Sequence, residues 1–325
     1  MSDLPRIADI EAAAARLDGV AHRTPLLEFS QLNQAVGGRV LIKPELLQRT
    51  GSFKFRGAYN RISQLDRTAF PGGVVACSSG NHAQGVAEAC RMLGLPSVVV
   101  MPEDAPGAKK RGVIERGGRI VAYDRVREDR DQIARDIAEK TGAAFVPPFD
   151  DFHIIAGQGT AGLEIARELG QMDVTPDALL VPCSGGGLTA GCAVAMKAHF
   201  PDAEIYAIEP EGFDDHRRSL EAGQLEVNPH LSGSICDALL APTPGRLTFA
   251  INEKLLAGAV AVPDGDVRAA MAYALQSLKL APEPGGVIGL AAILSGRFDA
   301  AGKVVVVMMS GGNADPALIA EAAGG

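Results

Sequence analysis

The chain reads as an α/β protein, a doubly wound architecture built on mainly parallel sheets. Three observations predict this. Short apolar runs rich in β-branched residues alternate with helix-length segments along the whole chain. Glycine-rich loops fall where such a run stops and a helix starts. The chain has 325 residues, 47% of them hydrophobic, which is enough to bury one large or two ordinary cores.

The runs expected as strands are Arg39–Ile42, Gly73–Cys77, Ser97–Met101, Arg119–Ala122, Ala143–Val146, Ala178–Pro182, Glu204–Ile208 and Lys303–Met308. Helices are expected between them, among them Asn81–Leu93, Glu128–Thr141, Gly162–Gly170, Leu188–Phe200 and Asp264–Leu280. Asp264 has the short carboxylate of an N-cap, with Val267 and Met271 on the apolar face behind it. Pro147-Pro148-Phe149-Asp150-Asp151 reads as the crossing between lobes. No internal repeat or low-complexity tract is present.

Bulk properties exclude several classes. The formal net charge is -8, so no basic surplus exists to bind nucleic acid or an anionic membrane surface. Met1–Val20 lacks a basic stretch followed by an apolar core, so no signal peptide is expected. The longest apolar runs, such as Val304–Met309, are too short to span a bilayer. The five cysteines are Cys77, Cys90, Cys183, Cys192 and Cys236; their number is odd and none forms a Cys-x-x-Cys pair. Reduced, buried thiols in a cytoplasmic protein are the expectation.

In doubly wound sheets, ligands sit at the carboxyl ends of strands. Three small-polar loops occupy such places: Ser78-Ser79-Gly80-Asn81-His82, Ser184-Gly185-Gly186-Gly187-Leu188 and Ser310-Gly311-Gly312-Asn313. Together they suggest one shared ligand cavity. In the second loop, three consecutive glycines let backbone N–H groups converge, and the following helix adds its positive end. That is a phosphate cup, with a tight packing turn as the alternative. It is not a Walker A loop, because no Gly-Lys-Ser/Thr follows. Gly157-Gln158-Gly159-Thr160-Ala161-Gly162 matches the dinucleotide fingerprint, but no strand precedes it. Packing where a helix begins is expected there instead.

Ser52-Phe53-Lys54-Phe55-Arg56-Gly57-Ala58 places one lysine between two aromatic rings. A lysine boxed in by apolar groups is costly to keep charged, so its pKa falls toward neutrality. The neutral amine is a nucleophile that forms a Schiff base with an aldehyde cofactor. Its alternative is a lysine that snorkels at the surface. A Schiff-base lysine, a phosphate cup and further polar loops together imply pyridoxal 5'-phosphate (PLP).

At this point the chain resembles the fold-type II PLP enzymes, the tryptophan synthase β-like fold with two parallel-sheet lobes and the cofactor between them. The resemblance is to the threonine dehydratase, serine racemase and 3-hydroxyaspartate dehydratase group. It runs from His22-Arg23-Thr24-Pro25-Leu26 to Ser310-Gly311-Gly312-Asn313. It rests on Gly51–Ala58, Ser78-Ser79-Gly80-Asn81-His82-Ala83-Gln84-Gly85 and Ile155-Ala156-Gly157-Gln158-Gly159-Thr160. The division it implies is a large PLP-binding domain from 1–68 and 146–325, and a small substrate-side domain from 69–145, with no C-terminal regulatory domain.

The resemblance implies roles. Lys54 would carry the cofactor and move protons at the substrate. Phe53 would lie against the ring, Asn81 would bind the ring hydroxyl, and Ser184, Gly185, Gly186, Gly187 and Leu188 would hold the phosphate. Ser310 would face the pyridine nitrogen. A neutral hydroxyl there does not force ring protonation, so the ring is a weaker electron sink and prompt β-elimination is favoured over transamination. Ser79 resembles the second acid/base of the racemases; alternatively it lines a substrate-carboxylate pocket with Ser78, Asn81 and His82. Glu209, the Phe213 carbonyl and Asp215 resemble the divalent-cation site of racemase-like members, taking Mg²⁺, Ca²⁺ or Mn²⁺. The alternative is an acidic helix start, with Asp214 or Asp215 as N-cap.

Arg130 resembles an arginine of the racemases that meets a second carboxylate, which points to 3-hydroxyaspartate as substrate. A solvated charge run along its helix is the alternative. The implied activity is dehydration and deamination of a β-hydroxy amino acid by a homodimer acting on a small-molecule substrate. That substrate would be 3-hydroxyaspartate, otherwise L-threonine or L-serine. A serine or aspartate racemase, a non-catalytic PLP-binding protein and a β-replacing sulfhydrylase are the rivals. Ser234-Ile235-Cys236-Asp237-Ala238-Leu239 departs from the group's Ala-Asp-Gly, which implies a different pocket shape there.

Overall fold

A computed structural model describes residues 4–78, 80–105, 107–124 and 127–324. Its strands are β1 (Leu27–Glu28), β2 (Arg39–Pro44), β3 (Val74–Cys77), β4 (Ser97–Pro102), β5 (Arg119–Tyr123), β6 (Ala144–Phe145), β7 (Ala178–Pro182), β8 (Glu204–Pro210), β9 (Gly258–Val262) and β10 (Val304–Met309). Its helices are α1 (Ile7–Leu17), α2 (Ser30–Val36), α3 (Lys54–Ile62), α4 (Asn81–Leu93), α5 (Gly107–Ile114), α6 (Arg130–Thr141), α7 (Phe152–Gln171), α8 (Gly187–His199), α9 (Asp215–Ala222), α10 (Arg246–Leu255), α11 (Asp264–Tyr273), α12 (Pro284–Leu294) and α13 (Pro316–Gly324).

Two sheets form. The larger has the order β1-β2-β10-β7-β8-β9 and the smaller β5-β4-β3-β6. Among the described residues, every strand pairing in the two sheets is parallel except β1 with β2. Strands covered on both faces need apolar side chains in both directions, which explains the unbroken Val304–Met309 run. Val305, Val307 and Met309 pack with α11 and α12 on one face. Val306 and Met308 pack with α7 and α8 on the other. In the smaller sheet, Val74 and Ala76 pack against α3 and α4, while Val75 and Cys77 pack toward Ala134 of α6.

Several boundaries differ from expectation. α7 begins at Phe152, where the Asp151 carboxylate accepts from the His153 and Ile154 N–H groups. The Gly157–Gly162 stretch therefore lies inside a long helix, not at its start. Its glycines are there for close approach: a Cβ on Gly157 would meet Gly57 Cα at 2.6 Å, and one on Gly162 would meet Cys192 Cα at 2.7 Å. α6 starts two residues later than expected, because Asp129 caps it. Asp264 is not an N-cap; that position is Pro263, and Asp264 instead accepts from Ser234 Oγ and the Ile235 N–H. Beyond Tyr273 the helix widens into a π turn, Ala274–Leu278. The edge strands β1 and β9 are additional. All five cysteines are free and buried, and among the described residues no helix is long and apolar enough to cross a membrane.

One polar cluster sits inside this core. Arg56 of α3 is 1% exposed and Glu45 is fully buried, joined at 2.7 Å. Arg56 also pairs with Glu164 of α7 at 2.6 Å, and Lys43 of β2 pairs with Glu164 at 2.7 Å. Thr24 donates to Glu45, completing its satisfaction. Removing one member of such a cluster leaves a buried charge without its counter-charge. Arg56→Met is therefore expected to lose about 3–5 kcal/mol in urea unfolding; a loss below about 1 kcal/mol, the scale of a surface pair, would contradict the assignment.

Candidate active site

One cavity opens between the two sheets and gathers most of the singled-out residues. Phe53, Lys54, Ser78, Asn81, His82, Arg130, Ser184, Gly185, Gly186, Gly187, Leu188 and Ser310 all line it. Ser79 lies outside the described residues. Glu209, Phe213 and Asp215 are buried at the end of β8 and the start of α9, outside the lining of that cavity.

Lys54 opens α3, directly after a strained approach in which Thr50 has φ 62° and Gly51 φ 74°. The approach is tied to the loop after β10. Phe53 N–H donates to the Ser310 carbonyl, Gly312 N–H to the Gly51 carbonyl, and the Asn313 amide to the Thr50 carbonyl. A side chain on Gly51 would collide with Asn313, its Cβ 2.6 Å from Oδ1. Thus the Lys54 and Ser310 loops are placed as one unit. The Lys54 amine donates to the Pro148 carbonyl at 2.8 Å and lies 5.2 Å from the Phe53 ring centroid. Burial brings its pKa down to about 8, against the opposing pull of the Glu283 carboxylate.

The glycine loop is shaped by crowding. A Cβ on Gly185 would meet the Phe149 ring at 2.4 Å; Gly186 has φ 90° and would meet His216 Nε2 at 2.6 Å. The Gly185 carbonyl accepts from Thr248 Oγ1 and from the Gly245 N–H, so it points away from the cavity. α8 starts at Gly187, and the first N–H groups of a helix have no intrahelical acceptor. Gly187, Leu188 and Thr189 line the cavity, so those donors and the helix dipole could hold a phosphate-type anion without a lysine.

Asn81 is oriented by two partners. Its amide donates to Glu283 Oε1 at 2.5 Å, and its carbonyl accepts from Asn313 at 2.7 Å. One N–H remains for a ligand oxygen. Burial, then the nearby Asp237 charge, raises Glu283 to about 7. His82 is held neutral: burial, then the Lys54 charge, lowers it to about 3. Its Nε2 sits 3.0 Å from the Val146 carbonyl, which can only accept. Nδ1 is therefore a buried acceptor, and it has no protein partner. Ser310 is 4% exposed and offers a neutral hydroxyl. Arg130 is the first residue of α6, with its side chain 47% exposed and Asp131 3.9 Å away.

Glu283 is the residue that sequence reasoning missed. It stands in Ala281-Pro282-Glu283-Pro284, where no spacing or loop pattern marks it. Its only signal is an acid flanked by two prolines.

In the separate group, Glu209 accepts from the His216 and Arg217 N–H groups, each at 2.9 Å. Asp215 Oδ1 accepts from Asn228 at 2.6 Å, while its buried Oδ2 has no partner. Burial raises both carboxyls, Asp215 to about 7 and Glu209 well above its usual range; the Asp215 charge adds to the cost at Glu209, while Asn228 and Arg218 offset part of it at Asp215. Asp214 is the residue before α9, but its side chain makes no cap bond.

A buried lysine with a lowered pKa, an anion cup and a polar ring cradle define a site for a phosphorylated aldehyde. The chain belongs to the pyridoxal-phosphate dependent enzyme family, whose model matches residues 17–311. It is 41% identical over 307 residues to the L-threo-3-hydroxyaspartate ammonia-lyase of a Pseudomonas species, covering 94% of this chain and 95% of that one. It is 39% identical over 315 residues to the L-threonine ammonia-lyase of Thermotoga maritima, covering 96% and 77% respectively. The structure of maize serine racemase superposes with a TM-score of 0.92 at 37% identity, covering 98% of this chain and 97% of that one.

The Lys54 amine is expected to react as a group with pKa about 8. In the cofactor-free protein, its acylation should therefore rise with pH and level off above that value, while exposed lysines keep rising toward about 10.4. Peptide mapping after brief anhydride treatment across pH reads this directly. A Lys54 profile that tracks the exposed lysines would contradict it.

Proposed function

We propose that the protein is a PLP-dependent ammonia-lyase that dehydrates and deaminates a β-hydroxy-α-amino acid, with 3-hydroxyaspartate favoured and L-threonine or L-serine otherwise. The observation that carries this is the convergence of Lys54, the glycine cup, Asn81 and Ser310 on one cavity. The group fits the cradle: an amine, an anion cup and an oriented amide donor are all present. When bound, PLP takes up the substrate amino group and withdraws electrons from Cα.

The protein's residues do the rest. Near pH 8 a large share of Lys54 is neutral and can accept the α-proton. Ser78 and the N–H groups at the start of α4 would offer donors to the α-carboxylate. A neutral Ser310 hydroxyl would leave the ring a modest electron sink, which favours prompt loss of hydroxide from Cβ; the proton that Lys54 takes from Cα would let it depart as water. The resulting imine hydrolyses to a 2-oxo acid and ammonia; for 3-hydroxyaspartate these steps run through iminosuccinate to oxaloacetate. In this reading 69–145 is the substrate-side domain, and it contributes Arg130. The guanidinium would pair with the distal carboxylate bidentately. Racemisation on the same scaffold would need a second acid/base opposite Lys54, the role open to Ser79; chirality of recovered substrate tests it.

Glu209, Asp215 and the Phe213 carbonyl are proposed to hold a hard divalent cation such as Mg²⁺. The unpartnered Asp215 oxygen and the cost of ionising both carboxyls fit that charge. A carboxyl whose folded pKa is raised makes stability fall as pH rises through the window between its unfolded value and about 7. Mg²⁺ should therefore raise the melting temperature at pH 8 far more than at pH 5. Asp215→Asn should abolish the difference; an Mg²⁺ effect of equal size at both pH values would contradict the site.

The functional test is 2-oxo acid release by PLP-loaded protein from the 3-hydroxyaspartate isomers, threonine and serine. One hydroxyaspartate isomer is expected to lead. Arg130→Met should then cost roughly ten-fold or more in kcat/KM on it, the scale of a charge-assisted hydrogen bond. Undiminished turnover by Arg130→Met would return Arg130 to the solvated surface.

A further inference from the structure

Lys109 and Asp237 form an ion pair across the cavity mouth. Lys109 comes from α5 on the smaller-sheet side. Asp237 comes from the single turn Asp237–Leu239 beside the larger sheet. Both line the same cavity as Lys54 and Arg130.

The pair is asymmetric. The Lys109 side chain is 12% exposed, while Asp237 is 50% exposed. The Lys109 stem crosses Gly80 of the Ser78–His82 loop: a Cβ on Gly80 would lie 3.7 Å from Nζ and 3.8 Å from Cδ. Lys109 is thus packed in place over the loop, and its ammonium needs an anion. Asp237 sits at the rim, where water can replace Lys109 at little cost. An exchange of anions at Lys109 is therefore cheap on the Asp237 side.

We propose that Lys109 and Asp237 form a substrate-responsive clasp. With a monocarboxylic amino acid in the cavity, Asp237 stays as the counter-charge of Lys109. A substrate with a second carboxylate displaces Asp237, and Lys109 joins Arg130 in binding that group. Asp237 then acts as an internal competitor for the distal carboxylate, which makes it a specificity-determining residue. This rests on the substrate reading above and adds a residue pair to it.

The test compares PLP-loaded wild type, Lys109→Met and Asp237→Asn. The readout is the ratio of kcat/KM for 3-hydroxyaspartate to that for threonine. Lys109→Met should lower the ratio roughly ten-fold, and Asp237→Asn should raise it roughly five-fold, the scale of a half-exposed ion pair. A second arm measures inhibition by succinate relative to propionate, against whichever substrate is turned over. Succinate should lose its advantage in Lys109→Met and gain in Asp237→Asn. Wild type that ignores hydroxyaspartate would remove the substrate reading, and the succinate arm would still decide the clasp. Both variants moving the ratios in one direction, or neither moving them, would overturn it. Melting temperature and cofactor absorbance of each variant separate these effects from misfolding.

Discussion

The buried charge cluster of Lys43, Glu45, Arg56 and Glu164 is the constraint on which the site depends. It joins β2, the turn after it, α3 and α7, with Lys43, Glu45 and Arg56 buried and Glu164 at the cluster's edge. Charges there are tolerated only if every one is matched, so these four elements can meet in one relative position. Arg56 is two residues beyond Lys54 on α3. Fixing Arg56 therefore fixes where the lysine emerges. The glycine contacts between α3 and α7, with Gly57 under Gly157, allow the close approach that the cluster requires.

From there the site is assembled by hydrogen bonds between loops, through backbone and polar side chains alike. The bridge between Ser52 and Gly311 couples the Lys54 loop to the strand end that carries Ser310. Asn313 links the same loop to Asn81, and Glu283 closes the chain. The polar cradle thus spans loops far apart in sequence, held through hydrogen bonds that leave little freedom. The clasp residues differ in kind. Lys109 and Asp237 meet at the rim, where solvent keeps the interaction exchangeable.

Much of this was legible in the sequence. The buried parallel strands announce themselves because both faces must be apolar, as Val304–Met309 shows. The Ser184–Leu188 loop is readable because three glycines in a row serve few purposes. Lys54 is readable from its aromatic neighbours. Other features were hidden for physical reasons. β9, Gly258–Val262, is an edge strand that is mostly half-buried, so its pattern is weak. The first half of α7 carries glycines that look like a helix break, and only the contacts with Gly57 and Gly191 explain them. Glu283 works through a partner 202 residues away, a pairing no local spacing encodes. The Lys109–Asp237 pair is likewise a product of tertiary placement.

The most direct test of the central claim is borohydride reduction of the PLP-loaded protein, followed by peptide mapping of the pyridoxyl group. The account predicts the label on Lys54 alone, on the peptide containing Ser52-Phe53-Lys54-Phe55. A label on any other lysine, or no stable label on a protein that binds the cofactor, would contradict it.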